Sequence, residues 1–424
     1  MKKLLIMGTS YGSEAIVKKA KTMGIYTIVT DFFEPEHSRA KLISDEYWMI
    51  STNDIDALEK RCRKENISGI TAGVSEFNLE CSRLLCERLG LPIYYNLDSW
   101  KYATDKRAFK DACAEVGAPI ARDYFLSNDL TDEELDGISY PVVVKPVDQG
   151  GNVGMSYCHN KQELIAGYRA AQAVTDYPDR IIVEKWLSGE ELYGYYAIAD
   201  GEPELVLIGG QFAQPGQPNN RYAYETNMCG HLDHYVEELD EKVKAVFKHI
   251  GCKEGVAWVQ TMLDDDNHFY ITEMGQRLGA DLVFVPMADI GGFDLIKWMI
   301  ECALGIKHSV ADYDNNQRGF NNQIAGTYML WSEYQGEIGS ISGLDEINAA
   351  DGIDVELVRT VGDTLEGIHP IVNVLFSAQD AEEACKKIAF VNENLKVTDK
   401  SGNNIVIYYD DFDKVRELYN ISKK

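Results

Sequence analysis

The order of elements in the first 95 residues constrains the fold most. Short apolar runs at 2–7, 25–30, 47–50 and 67–72 alternate with helical patterns at 13–23, 55–65 and 76–89, the last halted by Gly90. Strands joined through helices need crossover connections, so they lie parallel with the helices on the sheet faces. Residues 1–100 are therefore expected to form an open α/β domain of Rossmann-like type. The turn Gly8–Gly12 spells G-x-S-x-G. A nucleophile elbow sits deeper in its domain and needs an oxyanion-hole loop upstream, so this stretch reads as a structural turn. It is not G-x-G-x-x-G either, which leaves a dinucleotide site at this turn poorly supported.

The pattern then changes. A helix over 105–116 stops at Gly117-Ala118-Pro119. The strand and loop YPVVVKPVDQGGNVGM fill 140–155, followed by a helix over 161–173 and a strand over 180–184. Residues 192–212 alternate as antiparallel strands do, 214–227 form a polar loop, and a helix covers 236–250. A hairpin pairs 255–263 with 268–273 across the acidic turn Asp264–Asn267, and a helix over 294–304 ends at Gly305. From about 320 the chain is mostly strand-like, with one helix near 380–391. The expected architecture is thus α/β and α+β: an N-terminal domain over 1–100, a two-lobed middle domain over 101–318 with a lid near 118–186, and a smaller C-terminal α+β domain over 319–424.

A net charge of −27 argues against nucleic acid or an anionic membrane as the main partner, since both need a positive face. The apolar run 4–7 is too short for a signal peptide, and no run approaches the ~20 apolar residues of a membrane helix. The nine cysteines are scattered with no C-x-x-C pair, which fits reduced thiols in a cytoplasmic protein.

Four stretches carry chemistry. Lys145 ends a valine strand and precedes Gly150, Gly151 and Gly154. Such a loop could wrap phosphate oxygens with backbone N–H groups while the lysine adds charge, or it could be a surface hairpin with an exposed lysine. The stretch RIIVEKWLSGEEL brings out Glu184, a linking segment and Glu191; the segment could meet an adenine edge, and Glu191 could accept from ribose hydroxyls. Period 2 puts Gln260 and Met262 on one face of their strand. Glu273 ends the next strand with Arg277 shortly after, a pair suited to holding Mg²⁺ and a transferring phosphoryl group. His231 and His234 could bind a metal but read better as a polar helix edge, and Asp264 to Asp266 lack EF-hand spacing. Arg221 and Tyr224 could face a substrate.

As a set these stretches resemble the ATP-grasp superfamily, on its carboxylate–amine ligase side: the L-amino-acid ligases, purine-biosynthetic ligases and biotin-carboxylase-like enzymes. The resemblance spans nearly the whole chain and includes TDKRAFK, VEKWLSGEE, the E-x-x-x-R strand end and GGFDLIKWMIECALG. It implies ATP as a substrate with Mg²⁺ or Mn²⁺, small carboxylate and amine substrates, an acyl-phosphate intermediate, and a homodimer. It assigns Lys106 and Lys145 to the ATP phosphates and Gly150, Gly151 and Gly154 to the lid. Glu184 with the backbone of Lys185 and Leu187 would read adenine, Glu191 the ribose, and Met262 the adenine face. Glu273 would bind the metal, and Arg277 would steady the substrate carboxylate. Two positions depart from the pattern: Gln260 stands where a first metal carboxylate is usual, and Gly275 where asparagine is usual. Gln260 can coordinate only through a neutral amide oxygen, and Gln276 is a candidate to help. The alternative expectation is a nucleotide-binding module with little ligase activity.

Overall fold

The structure, a computed structural model, describes residues 1–9, 12–149, 153–216, 222–227, 230–313 and 323–421, with backbone only for 222 and 418–421. Gly150, Gly151, Arg221, Cys229 and the centre of the Gly8–Gly12 turn lie outside the described residues.

Strands β1 (Lys3–Met7), β2 (Tyr26–Thr30), β3 (Glu46–Trp48) and β4 (Gly69–Ala72) pair in parallel in the order β3-β2-β1-β4. Leu4, Leu5, Ile6, Ile28 and Val29 are fully buried between the covering helices, as continuous apolar strands of a parallel sheet should be. Helix Glu76–Leu89 starts at Ser75, whose side chain accepts the Asn78 N–H, and ends on Gly90 at φ 66°, a left-handed stop that glycine adopts without strain.

A small antiparallel sheet follows, of β5 (Val142–Pro146), β6 (Ser156–Cys158) and β7 (Ile181–Lys185) in the order β6-β5-β7. Val142, Val144 and Val183 pack under Leu164, Tyr168 and Ala171 of helix Lys161–Gln172.

Beyond it come β8 (Gly189–Ala199), β9 (Glu202–Ala213), β10 (Tyr222–Thr226), β11 (Gly255–Asp264), β12 (Phe269–Gly275), β13 (Ile324–Ser332), β14 (Gly336–Ser342), β15 (Ile353–Leu357), β16 (Thr364–Leu365), β17 (His369–Ala378) and β18 (Lys396–Asp399). Eight form one antiparallel sheet, β12-β11-β8-β9-β10-β13-β17-β15, and β16-β14-β18 form a smaller one. Strands on both sides of the expected 318/319 boundary therefore share a sheet, with β10 bonded directly to β13. One face of the large sheet, through Leu192, Tyr196 and Val259, packs on Phe109, Val243 and Phe247 of helices Lys106–Glu115 and Glu241–His249. The other face, through Tyr193, Tyr195 and Ala197, meets helices Phe284–Asp289 and Leu295–Ala303 and the N-terminal core.

Two boundaries differ from expectation. Asp105 caps its helix rather than opening it, because its carboxylate accepts the N–H groups of Arg107 and Ala108 at 3.0 Å each. The helix expected over 236–250 begins with a π-turn, Val236–Asp240.

Candidate active site

The site is built where β5, β7 and the start of helix Lys106–Glu115 approach the open face of β8, β11 and β12. Along β11, residues 258, 260, 262 and 264 are half-buried while 257, 259, 261 and 263 are buried. Gln260 and Met262 therefore share the open face, as period 2 requires.

Glu273 owes its direction to a bulge. Gln260 pairs with Glu273 but the adjacent Thr261 pairs with Ile271, so Thr272 is the extra residue. Its hydroxyl donates to the Gln260 carbonyl at 3.1 Å. A regular strand would put residues 271 and 273 on one face. The bulge instead lets Ile271 join the core behind the sheet while Glu273 turns to the open side.

Cations converge on this carboxylate and on Glu184. Lys106 Nζ lies 3.1 Å from Glu273 and donates to the Gln149 carbonyl at 2.8 Å. Lys145 Nζ lies 2.5 Å from Glu184, and Lys110, itself buried, bonds the other Glu184 oxygen. Lys110 also reaches Asp123 at 2.9 Å, and Arg107 holds the same carboxylate at 2.6 Å. Burial would raise the Glu184 carboxyl, but Lys145 and Lys110 outweigh it and hold it at about 2. Burial likewise works against the Lys145 charge, yet Glu184, and then Glu273, keep it above its usual value. Glu273 thus adds to Glu184 in favouring the Lys145 charge.

Glu191 is paired with Met262 across β8 and β11 and accepts from the Gln260 amide. Burial, then the charge of Glu273, push its carboxyl up to about 7. Lys185 is tied into its strand: its N–H donates to the Arg122 carbonyl at 2.8 Å. Leu187 lies half-buried in the segment linking β7 to β8. Gly154 has φ +72°, and a Cβ there would stand 2.5 Å from Val174, so this turn needs glycine on two counts.

Arg277 faces the N-terminal unit. One Nη lies 2.9 Å from Glu76, the other donates to the Leu278 carbonyl at 3.0 Å, and the guanidinium sits 5.2 Å from the Trp258 ring centre. The same indole explains Gly275: a Cβ there would come within 2.4 Å of it. Gln276 is fully buried and donates to the Tyr94 carbonyl at 3.4 Å, so its amide nitrogen is committed to the core.

Residues 105–310 match the family described as "Carbamoyl-phosphate synthase L chain, ATP binding domain". That match, to an ATP-grasp domain, covers just under half of the chain. A D-alanine–D-alanine ligase of Stutzerimonas stutzeri is 28% identical over 200 residues, 44% of this chain and 59% of that ligase. The match thus spans about three-fifths of that relative's length. Among solved structures, an L-amino acid ligase from Bacillus licheniformis superposes with a TM-score of 0.74 at 18% identity, covering 94% of this chain and 98% of that one. The biotin carboxylase domain of Hydrogenobacter thermophilus 2-oxoglutarate carboxylase, in complex with MgADP, ADP and bicarbonate, superposes with a TM-score of 0.76 at 19% identity, covering 100% and 94%. At such identities the likeness is one of fold.

The matched region also holds polar groups that no motif announces. Lys110 and Asp123 complete the ion-pair cluster around Glu184. Glu225 is fully buried, opposite Gln211 on β9 and Thr327 on β13. Burial and Asp281 raise it well above the usual carboxyl range. Asp281 accepts from the Tyr195 hydroxyl at 2.6 Å and the Val283 N–H at 2.9 Å. A signal existed for Lys110, four residues after Lys106 and on the same helix face. None existed for Glu225, whose role depends on which strands flank β10.

Proposed function

We propose that this protein is an ATP-dependent ligase that joins a carboxylate to an amine through an acyl phosphate, releasing ADP and phosphate. The observation that carries the reading is the ion-pair network that sets Lys106 on Glu273 and Lys145 on Glu184. Two ammonium groups suit a triphosphate, and a strand-end carboxylate suits the cation that accompanies it. Phosphoryl transfer is catalysed chiefly by such positioning and charge neutralisation. In the reading, Gly154 belongs to the loop over the phosphates, the Lys185–Leu187 segment reads adenine beside Glu184 and Met262, Glu191 meets the ribose, and Arg277 exchanges Glu76 for the substrate carboxylate. The domain limits are 1–100 for a Rossmann-like unit, 101–318 for the ATP-grasp unit and 319–424 for a C-terminal unit that shares its sheet. The described cysteines are all unpaired and buried, which suits a reducing, cytoplasmic setting.

The donor set fits one Mg²⁺ ion: Glu273 supplies a charged oxygen, Gln260 a neutral one, and Glu191 a second acid that feels the Glu273 charge. Bound there, the ion would neutralise charge developing on the phosphates. The chain's own groups do the rest. With Glu273 holding the ion, Lys106 would be free to meet the phosphates, Lys145 would stay anchored on Glu184, and closure of the cleft would keep water from the acyl phosphate.

The reading is tested by incubating the protein with ATP, Mg²⁺ and a pool of amino acids and small carboxylates. ADP release that depends on the pool, with hydroxamate formed when hydroxylamine is added, supports it. Tight ATP binding without such turnover favours the alternative, a nucleotide-binding module, to which the Trp258–Gly275 contact lends weight because it fills a position where the family has asparagine.

A further inference from the structure

Two acids stand side by side behind Lys145. Residues 122–124 run against β7: the Tyr124 N–H donates to the Val183 carbonyl and the Lys185 N–H to the Arg122 carbonyl, both at 2.8 Å. Asp123 is thereby bridged antiparallel to Glu184. Like charges directly opposite one another on neighbouring strands repel. Glu184 is also buried, which strengthens the repulsion, so the pair needs a cation between them.

Lys110 supplies it. Its side chain is buried. Its Nζ lies 2.9 Å from Asp123 Oδ1, bonds Glu184 Oε2 and donates to the Ala121 carbonyl at 3.3 Å. An ammonium has three N–H donors, and three protein oxygens surround this one. Lys110 is therefore already engaged within the protein and is not placed to meet a ligand.

The outcome is an alternating row, Arg107–Asp123–Lys110–Glu184–Lys145, in which each carboxylate oxygen lies against one cation. Three cations face two acids, so the row carries one positive charge in excess. At one end Arg107 lies 5.0 Å from the exposed ring of Phe125. At the other end stands Lys145, and among the described residues Glu184 is the one acid within ion-pair distance of it. The division of Glu184 between two lysines decides how firmly Lys145 is held. Without Lys110, both Glu184 oxygens would be open to Lys145, and a doubly accepting carboxylate holds an ammonium more tightly than a singly accepting one.

We infer that Lys110 is a positioning residue: by taking one oxygen of Glu184 it leaves Lys145 on the other alone, with N–H donors to spare for the anion of a nucleotide. The inference rests on the ligase reading for the assignment of Lys145 to the ATP phosphates. It adds to that reading a residue that touches neither nucleotide nor metal.

The test uses the full chain with Lys110→Met, which keeps the apolar stem and removes the charge, and the double variant Lys110→Met/Asp123→Asn. Calorimetry is done at a temperature where circular dichroism shows all three proteins folded. Lys110→Met should weaken ATP about tenfold or more, as loss of a charge-assisted bond does, and leave adenosine within about twofold, because the effect runs through the phosphate-binding ammonium. Adding Asp123→Asn removes the repulsion between the two acids, so it should raise the melting temperature above that of the single variant without restoring ATP affinity. A third measurement needs no nucleotide: in competitive acetylation read by peptide mass spectrometry, Lys145 should react about threefold more slowly in Lys110→Met, since a more tightly held ammonium has a smaller free-amine fraction, while Lys106 should react alike in both proteins. ATP and adenosine weakened in step, ATP affinity recovered together with stability in the double variant, or unchanged acetylation of Lys145 would each overturn the inference. A wild type that binds no ATP would overturn the ligase reading, and the acetylation rates would still decide whether Lys110 sets the state of Lys145.

Discussion

Glu191→Gln isolates the electrostatics of the metal side of the cleft. In the folded chain, burial and the Glu273 charge push the Glu191 carboxyl up to about 7, whereas an unfolded glutamate titrates at about 4.3. A folded value above the unfolded one means that the protonated acid favours folding. That stability is complete below pH 4 and is lost as pH rises through about 7. Once both states are ionised, the gap amounts to about 4 kcal/mol. Glutamine keeps the shape and cannot ionise. The variant should therefore match the wild type near pH 4.5 and exceed it by about 4 kcal/mol at pH 8.5, as read by urea unfolding followed through tryptophan fluorescence. Mg²⁺ with a nonhydrolysable ATP analogue should narrow the gap at pH 8.5, because a cation beside Glu273 allows Glu191 to ionise. A difference between variant and wild type that is the same at both pH values would refute the coupling between these two acids.

Three other substitutions probe the same site. Lys145→Ala leaves the buried Glu184 with Lys110 alone; it should cost about 3 kcal/mol, the low end for breaking a buried pair, and weaken ATP at least about tenfold by calorimetry. Unchanged ATP affinity would count against the lid assignment. Gly275→Asn drives a Cβ into the Trp258 ring and should destabilise by about 2 kcal/mol in thermal unfolding, a loss that adding Trp258→Ala should relieve while tightening Mn²⁺ binding. Glu225→Gln should change stability by less than about 1 kcal/mol at pH 7, since a buried acid raised well above its usual range is already neutral; a loss above about 2 kcal/mol would mean that it is ionised.

The parallel sheet was legible because each of its strands is an unbroken apolar run followed by a helix, and the crossover rule leaves one arrangement. Strand β5 was legible from three valines and a lysine. What failed to show was anything set by pairing between distant strands. Separate middle and C-terminal domains were expected because the helical content drops near residue 320. Yet β13 bonds to β10 from a hundred residues earlier, and strand alternation is the same whether a strand closes one sheet or opens another. The direction of Glu273 was not legible either: simple alternation from Ile271 would have turned it into the core, the bulge at Thr272 reverses that, and a single extra residue leaves no trace in composition.

The two departures at the proposed metal site now have different physical standing. Gly275 is not a lost ligand in isolation. Its missing side chain is the space in which the Trp258 indole sits, and that indole underlies Arg277, which Glu76 holds from the N-terminal unit. Asparagine at 275 and tryptophan at 258 exclude each other, so the chain has exchanged a neutral metal ligand for a platform under its arginine. Gln260 is a different case. Its amide donates to Glu191, so the negative charge absent at position 260 is present one strand away, on an acid held near neutrality until a cation arrives. In the proposed reading Glu191 would therefore supply the charge that Gln260 lacks, and the pH dependence of the Glu191 variant measures whether it does.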